Sequence, residues 1–401
     1  MNGYDVIVAG AGPAGLAASC LAALDGRRVA LVAARSDSAD PRTVALMQPS
    51  IRLLEHLGLW PGSLKDGTTA LRRLRLVDDT GSAFKAPAIV FDPDEVGQDV
   101  FGWNIPLALL IPALQVRARS LGVDIIAADA RSATAGPLEI VLTTTDDSRL
   151  SARVLLAADG RYSVLRNAAG IKTNAWAYDQ VALATSFSHS GPHNGISTEY
   201  HKSAGPFTTV PMPGNRSSLV WMERPARVSE LMALPGAELA REIQLQSHGE
   251  LGLVSDIGDR RAFPMQGMVA RVFARHRTIL IGEAAHVVPP IGAQGLNMSL
   301  RDAAQAAELM AGEDDPGDPE ILRRYDAMRR RDVQPRQQVI DLMNRSLLSG
   351  NLLLEGGRAL GLSLIEGFAP LRRYVMQRGL APVQDIPRIM RSQDNTPVLM
   401  K

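Results

Sequence analysis

A single cysteine, Cys20, among 401 residues leaves no partner for an intramolecular disulfide and cannot build a cysteine metal site. It sits among small apolar residues of an expected helix, so packing is its expected job. Neither sign of charge dominates: 43 Lys and Arg face 42 Asp and Glu, a net charge of +1 that argues against a general nucleic-acid binder. No stretch reaches about 18 uninterrupted apolar residues, so no membrane-spanning helix is expected. No basic-then-apolar leader opens the chain, and no repeat or low-complexity segment appears. A cytoplasmic protein is expected, with attachment to the inner face of a membrane left open. No metal site is expected either. His189 and His193 are four apart, but their setting is the loop S-H-S-G-P-H-N-G and not a helix.

The chain is long enough for two or three cooperating domains. Charge is uneven along it. From Ile321 to Lys401 there are 14 Lys and Arg against 7 Asp and Glu. Such an excess suits an anionic lipid surface, an acidic partner or nucleotide phosphates; it is also what a solvated helix face shows.

At the start, Tyr4–Ala9 reads as a buried strand, followed by Gly10-Ala11-Gly12-Pro13-Ala14-Gly15, a helix to about Asp25, and a second strand at Val29–Val32. This is a β-α-β unit of dinucleotide-binding size. Gly10 permits the tight turn, Gly12 lets backbone approach a pyrophosphate, and Gly15 allows close packing of helix on strand. The acid that should end the second strand and hold a ribose is missing, for Ala33-Ala34-Arg35 stands there. Arg35 is placed to meet a phosphate or stack on adenine, with Asp37 and Asp40 as alternatives, and an NADP site is the rival. Arg42, just past this unit, is a candidate for touching cofactor or substrate, or is a surface arginine.

Further on, Ser50–Leu57 and Ile105–Leu121 read as helices, and Leu71–Val77, Val123–Ala127, Leu138–Thr144 and Val154–Ala158 as strands. Asp159-Gly160 ends the last of these in a tight turn, which either is only that or, paired with the first β-α-β unit, presents backbone and carboxylate to the same ligand. Between Gln180 and Phe263, short alternating runs broken by Gly and Pro (Val181–Phe187, Ser197–His201, Phe207–Pro211 and Ser217–Trp221) read as an antiparallel sheet. Tyr200 and His201 lie on it as substrate candidates.

The stretch Ile279–Asn297 organises the rest. A short strand ends at Gly282; Glu283 offers carboxylate oxygens, His286 an imidazole, and Pro289-Pro290 stiffens the loop after them. Gly292 and Gly295 bracket the start of a helix running to about Met310. A glycine-rich helix start offers unpaired N–H groups and the positive end of a dipole, which suits a ligand whose reactive part becomes negative. Ile321–Asn344 reads as an arginine-rich helix. The apolar Leu347–Phe368 could line an entry, dock a partner or pack the last helices.

Three signatures, G-A-G-P-A-G at 10–15, A-D-G-R-Y-S-V-L-R at 158–166 and G-E-A-A-H-V-V-P-P-I-G-A-Q-G-L-N at 282–297, together resemble the class A flavoprotein monooxygenases with the para-hydroxybenzoate hydroxylase fold. D-P-R-T-V-A-L at 40–46, E-Y-H-K-S-A-G-P-F-T-T-V-P-M at 199–212 and Y-D-A-M-R-R-R-D at 325–332 look like the ubiquinone-biosynthesis hydroxylases of that class. The resemblance implies an α/β fold: a Rossmann-type FAD-binding domain (1–70, 101–175, 265–345), an antiparallel-sheet substrate domain inserted in it (71–100, 176–264), and C-terminal helices (346–401). It implies FAD as cofactor, NADH or NADPH and O2 as co-substrates, and a phenolic, hydrophobic small molecule as substrate. Association with a membrane surface or a biosynthetic complex, and a homo-oligomer, remain open.

By the same resemblance Gly10, Gly12, Pro13, Ala14 and Gly15 hold the pyrophosphate, and Asp159 and Gly160 lie near FAD and the nicotinamide nucleotide. Gly282 and Glu283 face the ribityl chain, while Gly292, Gln294, Gly295, Leu296 and Asn297 embrace the flavin ring. Pro290 sits where oxygen adds, and Arg42 lies beside flavin and substrate. Arg42, His286 and Pro290 are the catalytic candidates. Ala33 replaces the family's ribose-binding acid and Leu107 a polar flavin contact, so weaker FAD retention is expected; Glu283, in place of an Asp or Asn, keeps an acceptor on a longer stem and is expected to serve. The implied chemistry is hydroxylation of an electron-rich ring through a flavin 4a-hydroperoxide. Alternatives are a hydroxylase of small soluble aromatic acids and a non-catalytic scaffold in a biosynthetic complex.

Overall fold

Val6, Ile7, Val8 and Ala9 are all fully buried, so the strand Tyr4–Ala9 is covered on both faces. Such a strand belongs in the middle of a parallel sheet. The computed structural model, which describes residues 3–34, 40–82, 86–348, 352–379 and 386–392, places it there. Thr278–Leu280, Arg149–Ala157, Tyr4–Ala9, Val29–Val32 and Asp124–Ile126 lie side by side in parallel register. Ile140–Thr144 and Ala130–Ala135 extend the Arg149–Ala157 strand antiparallel. The helix Pro13–Leu24 packs on this sheet against the helices Leu107–Ser120 and Gln294–Met310. Its small residues, Ala17, Ala18 and Cys20 among them, are buried. Burial pushes the Cys20 thiol up to about 12, against the opposing charge of Arg117, so it packs as an unreactive group.

A second sheet runs in the order His286–Val287, Arg261–Ala270, Thr173–His189, Arg216–Glu223, Gly205–Met212, Ile196–Lys202, Arg73–Asp78 and Ile89–Phe91. Its pairings are antiparallel apart from Ile196–Lys202 with Arg73–Asp78, which is parallel. Period-2 alternation splits its side chains between two surroundings. Leu183, Phe187, Tyr200, Phe207, Leu219 and Trp221 form a core with Val228, Leu231, Leu239 and Ile243 of the helices Pro225–Ala233 and Gly236–Gln246. The other face, with Leu74, Leu76, Ser197, Glu199, Thr208 and Val210, borders a cavity. A small sheet of Thr43–Met47, Gly102–Pro106 and Thr69–Leu71 joins the two layers. The helices Pro319–Leu348, Leu352–Gly367 and Ala369–Gly379 complete the chain's regular elements up to residue 379.

Several boundaries differ from expectation. Leu71–Val77 is two strands, Thr69–Leu71 in the small sheet and Arg73–Asp78 in the large one. Residues 102–106 pair as a strand with Thr43–Met47, so the helix expected from Ile105 begins at Leu107. The ten-residue strand Arg261–Ala270 and the two helices beneath the large sheet were not anticipated. Among the described residues no helix is long and apolar enough to cross a membrane, and no group of three or more His, Cys, Asp or Glu could hold a metal.

Candidate active site

Both sheets and the C-terminal helices enclose a cavity of about 1900 Å³. Two helix N-termini open onto it. Pro13–Leu24 starts at Gly12, with φ −69° and no side-chain cap. Gln294–Met310 starts at Ala293, which has φ 54°, again uncapped. Each leaves backbone N–H groups and the positive end of a dipole facing the space, an arrangement that fits a ligand with negative charge at two places.

The glycines divide by job. A Cβ on Gly10, whose φ is +110°, would lie 2.2 Å from the carbonyl oxygen of Ala158; one on Gly15 would lie 2.0 Å from that of Gly10. These two let helix and strands touch, and Gly10 does not line the cavity. A Cβ on Gly12, Gly160 or Gly295 would meet no heavy atom within 4 Å, and all three border the cavity. Backbone is thus bare where a ligand would come closest. Pro13, Ala14, Gly15, Gly282, Pro290, Gly292 and Leu296 complete that rim.

Polar side chains at the rim are held. Arg42 gives Nε hydrogen bonds of 2.9 and 3.0 Å to Asp40 and lies over the Phe263 ring at 5.0 Å. The hydrogen bond from Arg42 keeps the Asp40 carboxyl below the usual carboxylate range. Glu283, half exposed, pairs with Arg161 at 3.2 Å. The Gln294 amide donates to the carbonyls of Gly292 and Gly379.

His286 borders the cavity but is anchored below it. Its Nε2 is 2.7 Å from Asp302 Oδ2, which also accepts the Gly282 N–H at 2.9 Å. Arg329 Nε donates to the other Asp302 oxygen at 2.6 Å, and Arg329 also reaches Asp332. Asp332 in turn accepts from Arg301 and Arg336. Three guanidiniums thus face two carboxylates, leaving positive charge beside the site. Burial alone would raise Asp302, yet the charges of His286 and Arg329 and the hydrogen bonds of His286 and Gly282 hold it low.

Four expected site side chains are used elsewhere. Asp159 accepts from Ser163 Oγ at 2.5 Å and from the Leu165 N–H at 3.2 Å, so it closes its own turn, and it is not among the residues lining the cavity. The Asn297 amide ties the helix start to Ala45, Met47 and Ser50. Tyr200 points to the far face of its strand, where its hydroxyl meets Glu250 at 2.9 Å. His201 is on the cavity side but only 2% exposed, and stops short of the lining. Arg35 lies outside the described residues. Sequence reasoning passed over Glu199, which does line the cavity. Once Tyr200, Phe207 and Trp221 are assigned to a buried face, alternation alone turns Glu199 the other way.

The sequence matches the FAD binding domain family over residues 3–339. The chain belongs to that family. Over 96% of this flavoprotein and 92% of the relative, it is 32% identical to ubiquinone hydroxylase UbiL of Rhodospirillum rubrum. The 3-demethoxyubiquinol 3-hydroxylase of Escherichia coli is 26% identical, covering 85% of this chain and 87% of its own. The fold is shared with p-nitrophenol 4-monooxygenase PnpA of Pseudomonas putida DLL-E4 at a TM-score of 0.76 and 19% identity, over 94% of this chain and 98% of that one. This flavoprotein is a FAD-dependent aromatic monooxygenase, close to the hydroxylases of ubiquinone biosynthesis. The bare glycines and the two uncapped helix starts fit FAD, whose pyrophosphate and reduced ring are both anionic.

Proposed function

We propose that the enzyme hydroxylates a phenolic ring carrying an apolar chain, on the route to ubiquinone, and consumes NADH or NADPH. The observation that carries this reading is the cavity wall beyond the glycine rim: Leu74, Leu76, Ile89 and Phe91 from the sheet meet Leu362 and Ile365 from the C-terminal helix. Such a wall accepts an apolar chain and keeps water from the reacting ring. Of the arginines on the cavity wall, Arg42 is held by Asp40, Arg75 by Glu250, Arg161 by Glu283 and Arg336 by Asp332, whereas Arg261, Arg331 and Arg378 hold no carboxylate among the described residues, so the preference over a small aromatic acid rests on the apolar wall. Bound FAD supplies the activation of dioxygen. Gly12 and the Pro13–Leu24 helix start would hold its pyrophosphate, and the Gln294–Met310 start would steady charge on its ring. The test is anaerobic and aerobic turnover of FAD-loaded protein with NADH or NADPH and a prenylated phenol. Product one oxygen heavier is expected; nucleotide oxidation that the phenol neither speeds nor couples to product would overturn the reading.

Ala33 closes the strand Val29–Val32 with its N–H given to Ile126, leaving a methyl group where the family's ribose-binding acid would stand. A33E should tighten FAD by roughly ten- to a hundredfold, the worth of one charged hydrogen bond, read by titrating apoprotein with FAD in the visible. An unchanged dissociation constant would show that the missing acid does not limit retention.

Leu360, Leu364 and Phe368 recur every fourth residue on the helix Leu352–Gly367 and just after it, each more than half exposed. Leu362 of the same helix lines the cavity. We read this stripe as the part that rests on a lipid surface, with Arg373 and Arg378 beside anionic headgroups. L364E/F368E should cut co-sedimentation with anionic vesicles at least fivefold while leaving FAD content unchanged. Equal sedimentation of both proteins would remove the stripe from that role.

A further inference from the structure

Glu199 is a carboxylate that joins the two halves of the site. It stands on the strand Ile196–Lys202, its side chain 16% exposed, on the sheet face that borders the cavity. Its Oε2 accepts the Gly292 N–H at 3.4 Å, on the loop that leads into the uncapped helix Gln294–Met310. Its Oε1 lies 2.7 Å from Nε2 of His201. No Lys or Arg pairs with it among the described residues, whereas Asp40, Glu283, Asp302 and Asp332 each hold a guanidinium. His201 is buried, and its Nδ1 meets no hydrogen-bonding partner among the described residues. The geometry therefore supports Nε2 as the protonated nitrogen, donating to the carboxylate and fixing its rotamer.

We propose that Glu199 accepts the proton of the substrate's ring hydroxyl, with His201 as the residue that positions it. This rests on the phenol reading above and adds the base that reading needs. In the step, the O–H bond of the phenol breaks and its electron pair stays on the ring oxygen. The proton bonds to a Glu199 oxygen, and the carboxylate becomes a neutral acid. The ring gains the electron density that makes it attackable by an electrophilic oxygen. The proton leaves to solvent through the cavity when product departs.

Of the charged groups on the cavity wall with Glu199, Arg75 is paired with Glu250, while Arg261, Arg331 and Arg378 hold no carboxylate among the described residues. Asp78, opposite His201 in the strand register, is paired with Arg358 of the C-terminal helix. Asp332 and Arg336 come from the helix Pro319–Leu348 and are paired with each other, as are Asp40 and Arg42. Lys202, Asp79 and His248 form a separate cluster.

The test uses FAD-loaded protein and an alkyl-substituted nitrophenol, whose ionised form absorbs in the visible. A neighbouring carboxylate opposes a second negative charge, so on the wild type the bound phenol should ionise at higher pH than on E199Q, which keeps an oxygen acceptor for His201 but carries no charge. Turnover should fall by about 10²-fold, recover as pH rises and the phenol ionises unaided, and return in part in E199D. A merely structural Glu199 would change FAD content or melting temperature, but would leave the bound-phenol midpoint where it was. That unmoved midpoint, or an unchanged pH profile of turnover in E199Q, overturns the proposal while the phenol reading stands. A wild type that neither binds the nitrophenol nor hydroxylates any phenol overturns both.

Discussion

D302A is expected to lose about 3–5 kcal/mol of stability, the cost of stripping one partner from a buried ionic network. Against the roughly 5–15 kcal/mol that holds a typical domain together, that loss is large. Asp302 is fully buried, and its two oxygens take hydrogen bonds from Gly282, His286 and Arg329. Removing it leaves the Arg329 charge facing Arg301 with only Asp332 between them, and frees the loop that carries Glu283. The measurement is the urea midpoint of D302A against wild type, with FAD content read alongside. A change under about 1 kcal/mol would mean that the network is decoration.

The same network sets an acid limit. Asp302 and Asp332 both titrate below their ordinary range: burial opposes this, but the charges of His286 and Arg329 on the first, and of Arg301, Arg329 and Arg336 on the second, outweigh it. A carboxyl with a depressed folded value stabilises fully above its unfolded value, near 4, and that contribution is lost as pH falls toward the folded value. Melting temperature should therefore drop more steeply below about pH 5 in wild type than in D302N, whose amide does not titrate.

Where the sequence spoke clearly, local chemistry and tertiary placement agreed. Val6 to Ala9 is apolar at every position because the strand is covered on both sides, and Gly10 and Gly15 after it have no substitute at that crossing. The motif at Gly282–Asn297 likewise carries its turn, its loop and its helix start in consecutive residues. Legibility failed where a residue's role depends on which way it points. Asp159 looked like a ligand group, but Ser163 and Leu165 claim it four and six residues later. Tyr200 and Glu199 are neighbours, and only the helices packed under the sheet decide which of them faces the cavity. Those helices, Pro225–Ala233 and Gly236–Gln246, lie among runs whose periodicity was read as strand, so the information that would have turned Tyr200 away was itself hidden. The anchor of His286 was hidden for a third reason: Asp302 is sixteen residues on, one helix away, and no spacing rule joins them.

G12V should give a folded protein that does not hold FAD. Gly12 has φ −69° and ψ 169°, an extended backbone that valine adopts readily, and a Cβ there touches nothing in the protein. The isopropyl group would project into the cavity over the N–H groups at the start of Pro13–Leu24, where the pyrophosphate is expected to sit. Losing two charge-assisted hydrogen bonds amounts to about 3–6 kcal/mol, or roughly 10²- to 10⁴-fold in affinity. G10A makes the contrast, since its Cβ would lie 2.2 Å from the Ala158 carbonyl oxygen at a φ of +110°. That variant should fail in the fold itself, by melting temperature and solubility, before any cofactor is added. Two glycines two residues apart would then separate cleanly, one needed by the chain and one by the ligand. If G12V melts like the wild type and binds FAD equally well, the cavity at this helix start is not where the cofactor's phosphates lie.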